Sequence, residues 1–226
     1  MMPPVTIMTK PTSVPVQLRA DAERNRQRLL DAARELFAQR GLDVTLDDIA
    51  RHAGVGTGTA YRRFPNKDAL IEALMVGRIR ELESIAKECV AEPDPWRGLT
   101  RYFERALELQ AVDRGLKDAL FTAGRGGAEV ARARGALAPV VSRLVQRAVD
   151  AGVVRSELAT TDVPLINFML NTVVDLGHDV EPELWRRYLA IVLDGLRPRP
   201  DGDEPLPVAP LDVPGLVKAI GSWKRR

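Results

Sequence analysis

The stretch that decides the fold is GVGTGTAYRRFPNKDAL, residues 54–70. Three glycines, Gly54, Gly56 and Gly58, stand close together directly before two adjacent arginines and a proline. Glycine costs about 1 kcal/mol relative to alanine inside a helix, so this clustering needs a physical reason. The residues on either side of the glycines supply one.

Helical patterns flank the glycines. The preceding segment, TLDDIARHAG at 45–54, begins with Thr45 as a helix cap and has Asp48 three residues later, which predicts a helix that the first glycine ends. A short helix over about 57–63 follows, and Pro65 ends it because proline lacks the N–H that a helix interior needs. A helix, a glycine turn and a second short helix form the helix-turn-helix pattern.

The residue types on the short helix suit a DNA groove. The second helix of such a unit enters a major groove about 12 Å wide, so small residues let its backbone approach the DNA closely. Gly58 and Thr59 are small in this way. Hydroxyl and cationic side chains donate hydrogen bonds to phosphates, and residues 45–67 include four such donors. These are Thr45, Arg62, Arg63 and Lys67.

Composition narrows the possible functions. The net charge is only +2, but residues 1–67 hold 11 Lys and Arg against 7 Asp and Glu, a mildly basic balance that is compatible with a nucleic-acid surface. The single cysteine, Cys89, excludes an internal disulfide framework and fits a reducing cytoplasm. The chain has only two histidines, which are far apart in sequence, and it shows no nucleophile–base pair. We therefore predict that it has no metal site and no catalytic residue, and that it is not an enzyme. No apolar run is long enough to span a membrane.

The helix-turn-helix segment resembles the TetR family of bacterial transcriptional regulators (TetR/AcrR type). The motifs that carry the resemblance are A-x-x-L-F-x-x-x-G, T-x-x-x-I-A, A-G-V, G-T-x-Y-R-x-F and K-x-A-L, and the similarity is continuous over roughly residues 23–82. Two positions depart from the family pattern. Gly56 stands where serine is usual, and Ala60 where a larger apolar residue is usual. Neither departure removes a DNA-contacting group.

The resemblance implies a role for each matching residue. Thr45 would contact a phosphate at the start of its helix, and Phe64 would pack inward. The residues nearest the base edges would be Thr57, Gly58 and Tyr61. The residues that hold the DNA backbone would be Thr59, Arg62, Arg63 and Lys67.

The resemblance also implies a C-terminal domain that forms a homodimer. Two predicted helices, at about 162–177 and 182–196, have wide apolar faces that favour such an interface, with burial inside one subunit as the alternative. The predicted interface residues are Leu165, Met169, Val173, Leu176, Leu184, Tyr188, Ile191 and Val192. Two-fold symmetry would place two recognition helices about 34 Å apart, or a multiple of that distance, on a palindromic operator.

Members of the family often bind a small effector, and no other cofactor is predicted. A ligand would lie between the helices at about 95–122 and 160–178. Residues that could line its pocket, or equally be core, are Trp96, Tyr102, Phe103, Phe121, Asn167, Phe168 and Asn171. Asn167, Asn171 and Asp175 recur at four-residue spacing, and this polar stripe either orients a ligand or faces solvent or the dimer edge.

We therefore predict an all-α protein of about nine helices. Its predicted parts are a disordered arm at 1–20, a DNA-binding domain at 21–82 with the helix-turn-helix at 45–64, a helical dimerisation and effector-binding domain at 83–197, and a proline-rich tail at 198–226 that docks as a short helix or stays disordered. The predicted function is a cytoplasmic bacterial repressor that an effector releases from its operator. The alternative is a non-specific or architectural DNA-binding protein, which usually needs a more basic surface.

Overall fold

Nine α-helices build the part of the chain that the structure describes, and this part contains no β-strand. The computed structural model describes residues 16–112, 127–200, 202 and 204–222. The helices are α1 Val16–Arg40, α2 Leu46–His52, α3 Thr57–Arg63, α4 Lys67–Val90, α5 Pro95–Val112, α6 Ala128–Asp150, α7 Asp162–Gly177, α8 Leu184–Leu196 and α9 Val213–Ser222, with a 3-10 helix at Gly41–Asp43. The predicted all-α class is confirmed. No helix within the described ranges is long and apolar enough to cross a membrane.

Side-chain caps fix where α4 and α5 begin. At the start of α4, Asn66 Oδ1 accepts a hydrogen bond from Ala69 N at 2.8 Å. At the start of α5, Asp94 Oδ1 accepts from the backbone N–H groups of Trp96 and Arg97 at 2.9 and 3.2 Å. These bonds satisfy donors that have no partner inside the helix, which is why polar cap residues mark helix starts in a sequence.

The first helix begins earlier than predicted. The proline-rich start predicted an arm at 1–20 and a helix from about Asp21, but α1 already begins at Val16. Residues 16–20, VQLRA, contain no glycine or proline and include several strong helix formers. The prediction was wrong because residues 20–28 are exposed or half-exposed, so no apolar periodicity marks the first turns of this helix.

The apolar side chains form two main cores, and α4 contributes to both. The first core joins α1, α2, α3 and the beginning of α4, and includes Leu29, Phe37, Ile49 and Leu70. The second core fills the body between the end of α4 and helices α5 to α8, and includes Phe103, Leu144 and Trp185. A smaller cluster lies between them, where the middle of α4 meets α6. The helix-turn-helix region and the body are therefore packed units that share one continuous helix.

Helix α6 runs without a break over 23 residues although Pro139 lies inside it. A proline in a helix interior lacks a hydrogen-bond donor and favours a kink or a break, but it does not divide this helix. Near the end of α6, the Arg147 guanidinium donates to the carbonyl oxygens of Val90 and Glu92, the latter at 2.9 Å. These bonds satisfy carbonyl groups at the end of α4 and join α4 to α6.

The tail after the body contains a helix, as one of the two predicted alternatives had it. The cap of α9 is Asp212, whose Oδ1 accepts from Gly215 N at 2.7 Å. Residues 204–212 have no regular secondary structure. Part of the range 95–122, predicted to form one side of the ligand site, lies outside the described residues.

Candidate DNA interface

The turn between α2 and α3 depends on one glycine. Gly54 has a φ of +61°, a left-handed conformation that side chains disfavour. The N–H of Val55 then donates to the carbonyl oxygen of Ala50 at 2.9 Å, which closes the end of α2. Gly56 has an ordinary φ of −59° and is the N-cap of α3, without a side-chain hydrogen bond. The prediction that Gly54 ends the helix before it is confirmed.

The inner face of α3 packs into the first core. Ala60 is fully buried, and Phe64 directly after the helix is 4% exposed. The guanidinium carbon of Arg26 lies 6.0 Å from the centre of the Phe64 ring, so α1 covers this side chain. The inward packing predicted for Phe64 is confirmed, and it fixes the rotation of α3 about its own axis.

The outer face of α3 is small, polar and uncovered. Thr57, Gly58, Tyr61 and Arg62 are exposed, and Thr59 is half-buried. A Cβ atom built on Gly58 would meet no side chain or neighbouring element nearer than Arg62 Nη2, at 4.0 Å. The packing of the protein itself therefore supplies no reason for a glycine here, although glycine weakens the helix.

The two arginines of α3 have different surroundings. Arg62 Nε donates to the carbonyl oxygen of Gly58 at 3.0 Å, which lays the side chain along the outer face. Arg63 Nη2 lies 3.7 Å from Glu23 Oε2 of α1, so an acidic side chain holds it at the edge of that face. Lys67, the fourth predicted cationic or hydroxyl donor, is the first residue of α4 and is half-buried.

Thr45 closes a complete capping box at the start of α2. Its Oγ1 accepts from Asp48 N at 3.1 Å, while Thr45 N and Thr45 Oγ1 both donate to Asp48 Oδ2, at 3.1 and 2.6 Å. The hydrogen bonds from Thr45 hold the pKa of the Asp48 carboxyl below its ordinary value. A phosphate at Thr45 would compete with Asp48 for the hydroxyl hydrogen, so the predicted phosphate contact stays a prediction.

Sequence reasoning missed one residue next to this face, Asp47. The charge of its carboxylate, partial burial and a hydrogen bond between the two side chains raise the pKa of the Tyr61 phenol. A phenol beside a carboxylate is kept protonated, so Tyr61 stays a hydrogen-bond donor. The signal was the position of Asp47 in the first turn of α2, next to α3 in a helix-turn-helix.

Comparison with known proteins shows which family this chain belongs to. The model for bacterial regulatory proteins of the tetR family matches residues 29–74, and the model for the C-terminal domain of SbtR-like transcriptional regulators matches residues 94–198. The crystal structure of a TetR transcription regulatory protein from Mycobacterium vanbaalenii is 34% identical, with a TM-score of 0.58, over 80% of this chain and 99% of that one. The chain belongs to the TetR family of bacterial transcriptional regulators.

Further similarities agree with this assignment. The TetR regulator SCO0520 of Streptomyces coelicolor is 33% identical, with a TM-score of 0.57, over 76% of this chain and 98% of that one. The regulator SrpR of Pseudomonas putida is 46% identical over 65 residues, which are 28% of this chain and 30% of SrpR. The chain thus matches less than a third of that curated relative. TetR-family regulators bind DNA and most are repressors.

The outward faces of α7 and α8 in this TetR-family chain are apolar. All eight residues predicted at the dimer interface are exposed or half-buried, and six of them do not pack against the body core and lie on one face within each helix. These are Leu165, Met169, Leu176, Leu184, Tyr188 and Ile191. Leu176 is 74% exposed, Ile191 is 56% exposed and Met169 is 50% exposed. Large apolar side chains grouped in this way mark an interaction surface.

The other two predicted interface residues have turned partly inward. Val173 and Val192 are half-buried and pack against the body core of their own subunit. For these two, the alternative of burial within one subunit describes the structure better. The inner face of α8 also contains Trp185, which is 2% exposed and was missed by sequence reasoning.

The aromatic residues predicted to line an effector pocket lie in or beside the body core. Tyr102 is 3% exposed and Phe103 is fully buried, and their rings meet edge to face with centroids 6.1 Å apart. Burial raises the pKa of the Tyr102 phenol above its ordinary value. Trp96 is half-buried, and the Arg197 guanidinium carbon lies 3.9 Å from its ring centre. Phe121 lies outside the described residues.

The polar stripe of α7 divides between core and surface. Asn167 and Asn171 are buried and Asp175 is exposed, so a fully solvated stripe is the wrong interpretation. Asn171 Nδ2 donates to the Asn167 carbonyl oxygen at 2.7 Å. Asn167 Oδ1 has no hydrogen-bond partner among the described residues. Phe168, next to Asn167, is half-buried.

Two surface grooves lie elsewhere on the body. They are lined by residues of the segments 155–166, 195–196 and 206–211, and include none of the predicted pocket residues. Within the described ranges, no group of three or more His, Cys, Asp or Glu side chains is placed to hold a metal ion.

Proposed function

We propose that this chain is a homodimeric, sequence-specific repressor of the bacterial cytoplasm, which binds a palindromic operator through α3 and leaves it when a small effector binds the body. The single observation that carries the DNA part of the proposal is the open outer face of α3 at Gly58.

Gly58 is costly for the helix and unexplained by the fold. Alanine in its place would stabilise α3 by about 1 kcal/mol on propensity alone. A Cβ atom would have room, because the nearest atom in its way is Arg62 Nη2 at 4.0 Å. A glycine that costs stability and relieves no clash inside the protein makes sense when the backbone must approach another molecule closely. A major groove is such a partner, because direct readout brings helix and base edges into contact.

The surroundings of Gly58 support DNA over other partners. Arg62 and Tyr61 are donors on the same face, and Arg63 is at its edge. Arginine binds phosphates and guanine edges, and a hydroxyl donor binds phosphates. The exposed apolar faces of α7 and α8 support the homodimer, because two copies related by a two-fold axis would bury them together and pair two α3 helices.

The effector part of the proposal rests on Asn167. Its Oδ1 is buried without a partner among the described residues, and an unsatisfied buried acceptor costs about 1–3 kcal/mol. A ligand with a hydrogen-bond donor would satisfy this oxygen. Helix α4 would transmit the change, because it packs on the body at one end and starts beside α3 at the other. Switching an operator from almost fully bound to almost free needs about 10⁴-fold differential affinity.

Selection of bound sequences from a random double-stranded DNA pool tests specificity and symmetry together. We expect enrichment of one roughly palindromic site whose half-sites are about 34 Å apart or a multiple of that distance. Competition at physiological salt should then favour the selected site over random DNA by about 10³-fold or more. Equal binding to random DNA would instead support the alternative of a non-specific DNA-binding protein.

The substitution Gly58→Ala separates the DNA-binding reason for this glycine from a structural one. We expect the melting temperature to rise and the affinity for the selected site to fall, because the added methyl group stabilises the helix and obstructs the groove. The matched control is Gly135→Ala on α6, an exposed helical glycine with open space around it. That control should also raise the melting temperature and leave the affinity unchanged. Unchanged affinity in Gly58→Ala would contradict the proposed role of the outer face.

A thermal-shift screen with small polar and apolar compounds tests the effector. We expect compounds that raise the melting temperature also to weaken binding to the selected DNA site, by linkage. The variant Asn167→Leu removes the acceptor and places an apolar side chain at this buried position. It should keep DNA binding and lose the response to the compound. A full response in this variant would place the ligand elsewhere.

A further inference from the structure

The tail of this chain lies beyond both family matches, the second of which ends at residue 198, and it is anchored to the body at a defined place. Arg155 Nη2 donates to the carbonyl oxygen of Glu204 at 2.9 Å and to Glu157 Oε2 at 3.0 Å. Glu157 Oε1 in turn accepts from Leu206 N at 2.9 Å. One ion pair of the body therefore holds the beginning of the tail from two sides.

The anchor lies at one end of the apolar faces of α7 and α8. The residues Leu165 near the start of α7 and Gly195 near the end of α8 line a common groove, as expected for neighbouring antiparallel helices. Leu206 lines this groove as well, and Leu165 also lines the adjoining groove beside residues 206–211. The apolar surface of α7 and α8 is therefore continuous with the tail.

The tail itself exposes a second row of large apolar side chains. Five such residues between 206 and 217 are exposed, among them Val208 at 77% and Val213 at 65%. The full set is Leu206, Val208, Leu211, Val213 and Val217. On α9, Val213 and Val217 are four residues apart and so lie on the same face. Contact with its own body leaves this row in water, which is unfavourable by roughly 25 cal/mol for each Å² of apolar surface.

We propose that residues 206–220 form a strap that packs against a second copy of this chain and extends the dimer interface of α7 and α8. This inference rests on the proposed homodimer, and it adds a segment that the family models do not include. The occupant is a second copy because the exposed row of the strap continues the apolar faces that the two-fold axis would bring together. Each subunit would contribute one strap, since a two-fold interface repeats every contact.

The length and composition of the strap suit this role. Packed helices have axes about 8–10 Å apart, whereas the nine residues 204–212 span about 28 Å at the roughly 3.1 Å per residue of an extended proline-rich chain. Prolines at 205, 207 and 210 favour this extended form and limit the conformational entropy that docking would cost. The strap can therefore reach from its anchor across to the α7 and α8 helices of the partner copy.

The dimer dissociation constant, measured by sedimentation over a dilution series of the full chain, tests the strap. The variant Val213→Asp/Val217→Asp places two carboxylates on its apolar face, and we expect the constant to rise about tenfold or more. The control Lys218→Asp changes the net charge by the same amount on another side of α9, and should stay within about twofold of the unmodified chain. Equal effects of the two variants, or no effect of either, would overturn the strap.

Hydrogen exchange keeps the test informative if the charged variant unfolds α9. In the unmodified chain, amides of 213–222 should be protected at dimer concentrations and lose protection on dilution below the dissociation constant. Protection that does not depend on concentration would overturn the strap. The variant Tyr188→Asp/Ile191→Asp distinguishes the two levels: if it dissociates the dimer while the strap variant does not, the homodimer stands and the strap fails. If the unmodified chain is monomeric at every concentration, the homodimer itself fails.

Discussion

The outer face of α3 and the outer faces of α7 and α8 are both left uncovered by the rest of the chain, but their chemistry is opposite. The face of α3 presents a glycine, threonines, a tyrosine and an arginine, whereas α7 and α8 present leucines, isoleucine, methionine and tyrosine. The first face has little to gain from leaving water and many donors to offer, so it suits a hydrated polyanion. The second gains free energy by burial and suits a matching apolar surface. Substitutions on the face of α3 should therefore weaken DNA binding, whereas charged substitutions on the faces of α7 and α8 should weaken the dimer.

The largest effect is expected from placing charge on the apolar face. The variant Tyr188→Asp/Ile191→Asp should raise the dimer dissociation constant by about 10³-fold or more, because burying an unpaired carboxylate costs several kcal/mol. Binding to a palindromic site should fall with it, since a monomer holds only one α3. Sedimentation and DNA titration on the same samples measure both. A variant that stays dimeric would show that this face is not the interface.

The next effect concerns the cation on the outer face of α3. Arg62→Ala should weaken binding to the selected site by about 100-fold, because a dimer loses two charged hydrogen bonds worth about 1.5 kcal/mol each. The slope of log affinity against log salt should fall by about 2, one for each lost phosphate contact. The dimer constant should not change. Titrations at several salt concentrations test this, and an unchanged slope would mean that Arg62 contacts no phosphate.

A smaller effect, of opposite sign, is expected at the edge of the same face. Glu23 lies 3.7 Å from Arg63 in the structure, so a phosphate must compete with it. Glu23→Gln removes this competitor, and an exposed ion pair is worth about 0.5 kcal/mol, so affinity for DNA should rise about two- to fivefold in the dimer. Asp31→Gln on the same helix is a control for charge. An equal rise in both would point to general charge rather than to the release of Arg63.

The smallest effect concerns the capping box that orients α2. The pKa of Asp48 is lowered in the folded protein by its bonds to Thr45. Its contribution to stability is therefore complete above the unfolded pKa of about 3.9 and is lost as pH falls through the lower folded pKa. The melting temperature of Asp48→Asn should be slightly lower than that of the unmodified chain at pH 7, and this difference should shrink near pH 3. A difference that is the same at both pH values would exclude the ionised carboxylate as its cause.

The sequence predicted the DNA-binding region far better than the body, for a physical reason. Helices α2 to α4 begin and end at caps, glycines and a proline, whose effects are local and can be read residue by residue: Thr45, Gly54, Pro65 and Asn66 all act on their immediate neighbours. The start of α1 lacks such signals, and residues 20–28 are exposed or half-exposed, so no apolar periodicity marks this part of the helix.

In the body, the choice between two faces of one helix depends on tertiary contacts. Leu184, Tyr188 and Ile191 form one apolar face of α8, but Trp185, Leu189 and Leu196 form another, and only packing decides which is buried. The same holds for α7, where Asn167 and Asn171 face the core although their side chains are polar. The pattern of polar and apolar residues alone does not show which of two such faces is buried.

The separation of the two cores has a genetic consequence. A substitution that unfolds the first core, such as one at Phe37 or Ile49, would leave α7, α8 and the body core untouched. In a cell that makes both forms, the proposed homodimer would let damaged subunits assemble with intact ones, and such mixed assemblies would hold one functional α3 in place of two. Alleles of this region should therefore be dominant over the normal copy, whereas alleles that destroy the body core should be recessive because their products never join a partner.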